Sequence, residues 1–257
     1  RRRKECTFCL NDNSGREVVT GICTVDDSLS AFLPDISQYE VKAIYKGGDH
    51  DGDMGTGYIF QHLYGVSKLQ ILSVNYYDSY NFPQSYIQLN ELDYDVNEYG
   101  KRYGDASDSL RYCHKGLLTG SVTAILGTDK CLYKTLYYDK YQRCIQIQSI
   151  NHLGERESDA YSYSYTGQVL IRHHTISSPG AASMEEYYEY NYDHAGRLTD
   201  VQYDPVQIGA DSTVDIESAH LVDIRYDKLG RLETVIHHDG WGDVISYDYN
   251  IRDWTTH

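Results

Sequence analysis

In the second half of the chain apolar and polar positions alternate. Tyr188, Tyr190 and Tyr192 occupy every second place, the period that lines one face of a β-strand. These runs, rich in Tyr, Thr and Val, close on glycine-containing turns. They lack the apolar positions three and four apart that a helix needs. The pattern predicts an all-β protein built as an array of antiparallel β-hairpins.

One phrase marks the turns. Tyr192-Asp193-His194-Ala195-Gly196-Arg197-Leu198 and Tyr226-Asp227-Lys228-Leu229-Gly230-Arg231-Leu232 share the pattern Tyr-Asp-x-x-Gly-Arg-Leu, and recurrence of this kind signals repeated supersecondary units. Asp193 is expected to open a type I turn by accepting backbone amides ahead of it. Gly196 then takes the positive φ, and Arg197-Leu198 begins the return strand. Asp227, Gly230 and Arg231 repeat the logic. Degenerate copies run through Tyr138-Asp139 to Arg143, through Tyr163-Ser164-Tyr165-Thr166-Gly167-Gln168, and through Asp12, Gly15 and Arg16 near the start. An altered copy, Tyr247-Asp248-Tyr249-Asn250-Ile251-Arg252-Asp253-Trp254, stands near the end. This alignment makes Arg143, Gln168, Arg197, Arg231 and Arg252 the residues after each turn. It makes Tyr138, Tyr165, Tyr192, Tyr226 and Tyr247 or Tyr249 the equivalent rings.

The first half is less regular. Residues 41–45, 66–77 and 117–126 read as strands, separated by Gly- and Asp-rich loops over 47–57 and 91–109. The expected division is therefore 1–130, an irregular β region with one degenerate repeat and long acidic loops, and 131–257, the repeat hairpins.

Composition sharpens the picture in one respect. The chain carries 27 Tyr against 4 Phe and 2 Trp, and tyrosine suits pleated, half-wet surfaces where the ring packs and the hydroxyl finds a partner. Its 23 Lys+Arg against 38 Asp+Glu give a net charge of -15. Such a chain is not expected to bind nucleic acid, because phosphate binding depends on clustered cations. The one basic run, at residues 1–4, reads as a solvated tail. No apolar stretch approaches a membrane span. The first residue is Arg rather than Met, which reads as an internal piece of a longer product.

These motifs resemble the rearrangement-hotspot (RHS) or YD-repeat proteins, and most closely their bacterial cell-surface or secreted branch. The likeness rests on Tyr138-Asp139, Asn151-His152-Leu153-Gly154, Tyr165-Thr166-Gly167-Gln168, residues 192–198 and Tyr249-Asn250-Ile251-Arg252-Asp253-Trp254, with Val74-Asn75-Tyr76-Tyr77-Asp78 upstream. It covers the last half well and the first half in pieces. It implies hairpins wound into a curved or spiralling sheet, an extracellular or cell-surface location, and a structural scaffold that wraps or displays another segment. The partners it implies are the rest of the same polypeptide, glycans, or a C-terminal toxin-like domain. The copies present are too few for a closed shell, and no self-processing site is found.

Candidate chemistry is sparse. The chain contains no nucleophile elbow, zinc-protease helix, phosphate loop or dinucleotide fingerprint, so it is not expected to be an enzyme and no cofactor is implied. Asp49, Asp51 and Asp53 take the first, third and fifth places of a calcium loop, but Met54 and Phe60 stand where Gly and Glu should be. A solvated loop is the better reading. His173-His174 and His237-His238 are strand neighbours that point to opposite faces, so no metal site is expected from either pair. Cys6-Cys9 has zinc-knuckle spacing without a second pair. The six cysteines read as buried or disulfide-bonded. A carbohydrate-binding or adhesive role is the alternative function, with Tyr187, Tyr188 and Tyr190 as the candidate glycan contacts. The recurrence of rings in every unit favours packing.

Overall fold

The computed structural model describes residues 5–25, 42–47, 54–60, 66–95, 115–178, 182–208, 213–238 and 242–256. The chain is all-β, 59% strand and 3% helix, and its strands pair antiparallel, as the alternation predicted. It divides into two compact units, Arg1–Asp95 with Asp105–Gly154, and Val96–Gly104 with Glu155–His257.

In the first unit, β1 (Glu5–Asn11), β2 (Glu17–Val25), β5 (Val66–Tyr77), β6 (Leu118–Ala124), β7 (Cys131–Tyr138) and β8 (Cys144–Ile150) follow one another in a single antiparallel order. A separate ribbon pairs β3 (Ala43–Tyr45) with β4 (Tyr58–Phe60). One face of the main sheet is covered by this ribbon and by the segment around a short helical turn, Ile87–Asn90. Between them lies a core of Leu10, Val18, Val19, Val74, Tyr76, Phe82, Leu89, Leu92 and Val122, together with Ala43 and Tyr58.

Buried rings need partners for their hydroxyls, and backbone carbonyls supply them. Tyr76 donates to the Thr56 carbonyl at 2.9 Å, Tyr80 to Leu136 at 2.7 Å, and Tyr137 to Leu92 at 2.6 Å. Two strand glycines make room for rings. A Cβ on Gly21 would lie 2.5 Å from Phe8, its register partner on β1, and one on Gly120 would lie 2.6 Å from Phe82.

The second unit runs β9 (Arg156–Tyr163), β10 (Val169–Ser177), β11 (Ser183–Tyr192), β12 (Leu198–Ile208), β14 (Ala219–Tyr226), β15 (Leu232–His237) and β16 (Asp243–Ser246) in order, with β13 (Thr213–Asp215) paired to β12. Among its described residues only Ala160, His173, Val201 and Pro205 are buried. Most other side chains are half-covered, so each face is part wet, and a ring with a polar tip fits that environment better than Leu or Phe. The Asp/Gly turns stand at one end of these strands. The strand ends Ser177, Ser183, Ile208, His237 and Asp243 stand at the other. Among the described residues no helix is long and apolar enough to cross a membrane.

Candidate functional site

The repeated turn forms as follows. The Gly196 amide bonds the Asp193 carbonyl at 2.9 Å, and the Asp193 amide bonds the Arg197 carbonyl at 2.9 Å. Gly196 sits at φ +79°, and the register slips between Asn191 and Tyr192. This is a type I turn followed by a left-handed residue, the three-residue hairpin loop with its bulge. The Asp193 carboxylate serves both sides of the turn. Its Oδ1 accepts the amides of Ala195 and Arg197, each at 2.9 Å, while Oδ2 takes Arg197 Nε at 2.8 Å and Nη2 at 2.6 Å. Forked, charge-assisted bonds are stronger and more directional than neutral ones. The Arg197 amide and guanidinium, helped by the Ala195 amide, hold the Asp193 carboxyl down to about 2 against the opposing effect of burial.

Three more turns repeat this arrangement. Asp12 holds Arg16, Asp139 holds Arg143 and Asp227 holds Arg231, with Oδ2 to Nε distances of 2.8, 2.7 and 2.7 Å. Gly15 and Gly230 have the positive φ. In the Asp139 turn Gln142 takes that conformation instead, at φ +64°. In the Gly167 turn Ser164 replaces Asp, its hydroxyl accepting the Gln168 amide at 3.0 Å.

Geometry shifts two assignments made from the sequence. The ring preceding the Ser164 turn is Tyr163, whereas Tyr165 lies inside the turn and is fully exposed. In the last copy Asn250 opens the turn, accepting the Arg252 amide at 2.8 Å and the Trp254 amide at 3.1 Å. Asp253 takes the left-handed position at φ +61°. Trp254, not Arg252, therefore follows the turn, and Tyr249, not Tyr247, is the equivalent ring.

Each turn also grips the next turn along its own sheet. The Arg197 guanidinium stacks 4.3 Å over the Tyr226 ring, and Tyr226 donates to the Leu198 carbonyl at 3.0 Å. Arg231 stacks 4.5 Å over Tyr249, which donates to Leu232 at 2.9 Å, and Arg231 Nη1 bonds Asp253 at 2.6 Å. In the first unit Arg16 stacks 4.4 Å over Tyr77, bonds Asp78 at 2.7 Å, and leaves its follower Glu17 to accept the Tyr77 hydroxyl at 3.3 Å. Where Gln168 replaces Arg the ring still docks, Tyr192 to the Val169 carbonyl at 2.8 Å, and the Gln168 amide reaches the Gly196 carbonyl at 2.7 Å. Tyr138 docks on the Leu118 carbonyl at 2.6 Å in the same way. The motif thus encodes a joint between hairpins as well as a turn.

The three candidate glycan tyrosines do not form one platform. Tyr187 stacks on His173, centroids 4.1 Å apart, and donates to Glu185 at 2.8 Å. Tyr188 stands on the opposite face against Tyr203, 5.0 Å away, with its hydroxyl on Glu186. Tyr190, two places on, shares the Tyr188 face and is half-buried.

The Asp49–Asp53 loop lies outside the described residues, as does Cys113. No disulfide joins Cys6, Cys9, Cys23, Cys131 and Cys144; of these Cys23 alone is buried, while Cys6 and Cys9 are exposed, contrary to the expectation of buried or bridged cysteines. Sequence reasoning missed a cluster of His220, Asp223 and His238. Asn151-His152-Leu153-Gly154, one of the segments that carry the resemblance, forms a further turn. There Asn151 accepts the amides of Leu153 and Gly154.

No protein-family model matches this chain, and no curated protein matches it.

Proposed function

We propose that the chain is a structural scaffold segment of a large bacterial YD-repeat protein, acting at the cell surface or outside the cell to wrap or display another segment, with no chemistry of its own. The observation that carries this reading is the joint from one turn to the next, made by an Arg or Gln after one turn and a Tyr before the following one. At these joints the Arg197 and Arg231 guanidinium groups and the Tyr192, Tyr226 and Tyr249 rings and hydroxyls are engaged between hairpins. Among the described residues no buried side-chain polar atom lacks a hydrogen-bond partner.

Two measurements on the same variants test the reading. Replacing Tyr192, Tyr226 or Tyr249 with Phe, and Tyr188 or Tyr190 with Ala, should lower the melting temperature without creating or abolishing binding on a glycan array. Glycan binding that disappears in Tyr188→Ala or Tyr190→Ala while the melting temperature holds would replace the scaffold by the adhesive module.

A further inference from the structure

His220 and Asp223 lie three apart on β14. In an uninterrupted strand, residues three apart face opposite sides of the sheet. Here they do not. The pairing of β12 with β14 matches Val201 to Val222 and then Gln202 to His220, so Leu221 is an extra residue in the ladder. A β-bulge of this kind re-aims a side chain. It brings His220 onto the side of Asp223, and His238, whose amide bonds the Leu221 carbonyl at 3.0 Å, joins them from just past β15.

The three side chains converge. His238 Nε2 is 2.9 Å from Asp223 Oδ2, and His220 Nε2 is 3.4 Å from Asp223 Oδ1. The imidazoles stack nearly parallel, 4.9 Å apart at 7°, and the donor atoms of the trio lie within 4.8 Å of one another. Neighbouring donors around tetrahedral zinc, at bonds of about 2.0–2.1 Å, are about 3.3 Å apart. Both separations to Asp223 are close to that value. With side chains 40% and 35% exposed, the two imidazoles have room to turn toward an ion. A second carboxylate stands behind His220: Asp200 Oδ1 lies 3.6 Å from its Nε2 and is itself held by Asn191 at 3.1 Å.

We propose that His220, Asp223 and His238 form a binding site for a divalent transition-metal ion of the zinc class. Two imidazoles and a carboxylate suit zinc, copper or nickel, whereas calcium and magnesium prefer sets made of oxygen alone. The net charge of -15 favours a cation. Its ligands come from β14 and from just past the end of β15, so the ion would clamp the two arms of one hairpin beside the bulge that breaks the ladder to β12.

The test uses the full chain and the metal alone. Zinc followed by calorimetry, and cobalt followed by its visible absorption, should each titrate one site and raise the melting temperature. His220→Ala and His238→Ala should each weaken that binding by at least about tenfold, with His220→Gln and His238→Gln giving the same loss while keeping side-chain bulk. His237→Ala, one place away on the other face, should leave it unchanged. Three results overturn the proposal. One is no titration by either metal. Another is a titration indifferent to both histidine substitutions, which would place the ion elsewhere on the chain. The third is equal affinity for calcium.

Discussion

The guanidinium of Arg197 lies 4.3 Å over the ring of Tyr226, although 29 residues of sequence separate them, and the hydroxyl of that ring returns to the carbonyl of Leu198, the next residue after Arg197. The two contacts close a small loop of interactions between successive hairpins. Each hairpin therefore stabilises its neighbour, as expected of an array in which no unit buries enough on its own.

A double-mutant cycle on Arg197→Ala and Tyr226→Leu should report a coupling of roughly 0.5–1 kcal/mol, the size of an exposed cation–π pair. Urea melts of the four proteins read it. Tyr226→Phe, which keeps the ring but not the hydroxyl, should retain the coupling and lose a separate stability increment of about 1 kcal/mol for the bond to Leu198.

Two turn glycines should respond unequally to alanine. Both have positive φ, +90° at Gly167 and +86° at Gly230, so each substitution incurs the left-handed strain of about 1–2 kcal/mol. A Cβ at Gly167 meets nothing within 4 Å, but one at Gly230 would stand 2.8 Å from Arg197 Nη1. Gly230→Ala should therefore lower the melting temperature more than Gly167→Ala, and Arg197→Ala should remove most of the difference.

Strand glycines carry a sharper constraint. At Gly21 a Cβ would meet the Gln70 carbonyl oxygen as well as Phe8, both at 2.5 Å, and a backbone atom cannot swing aside. Gly21→Ala should destabilise the first unit by about 1–3 kcal/mol or more. Adding Phe8→Leu should recover only part of the loss, measured by thermal melting.

Acid should act through the turns. The folded-state carboxyl of Asp193 is lowered from 3.8 to about 2, so its contribution is present above the unfolded value and is lost as pH falls from 3.8 toward 2. Melting temperatures of the wild type and Asp193→Asn, compared from pH 6 downward, should differ by a constant amount until about pH 4 and converge below it. Burial pushes the Asp12 carboxyl up, but the Arg16 amide and guanidinium and the Ser14 amide outweigh it and leave it lowered, so the first unit should also lose stability as acid protonates that turn.

The hairpins were legible in the sequence because the turn depends on local chemistry: a side-chain acceptor, two free positions, then a residue tolerant of positive φ. The frame failed where another residue filled a slot. Ser164 stands in for Asp, and Asp253 adopts the left-handed conformation that Gly holds elsewhere, which displaced Tyr165 and Arg252 from their assigned roles. The link between hairpins was not legible, since it joins residues a whole hairpin apart. The His220 cluster was hidden by the bulge at Leu221, which cancels the period of two on which face assignments rest. The core of the first unit was equally hidden, because Leu89 and Leu92 reach it from an irregular segment whose pattern matches neither a strand nor a helix.

In the second unit the motif turns occupy one end of the strands and the connections between hairpins the other. The turn-to-turn joints, Gln168 with Tyr192, Arg197 with Tyr226 and Arg231 with Tyr249, fall at the motif end, while the Tyr187–His173 stack joins successive hairpins in mid-strand. Register is thus keyed along one edge like the teeth of a zip. The far edge can lengthen, shorten or change its residues without disturbing that key, which separates the part of the repeat that must stay the same from the part free to diversify.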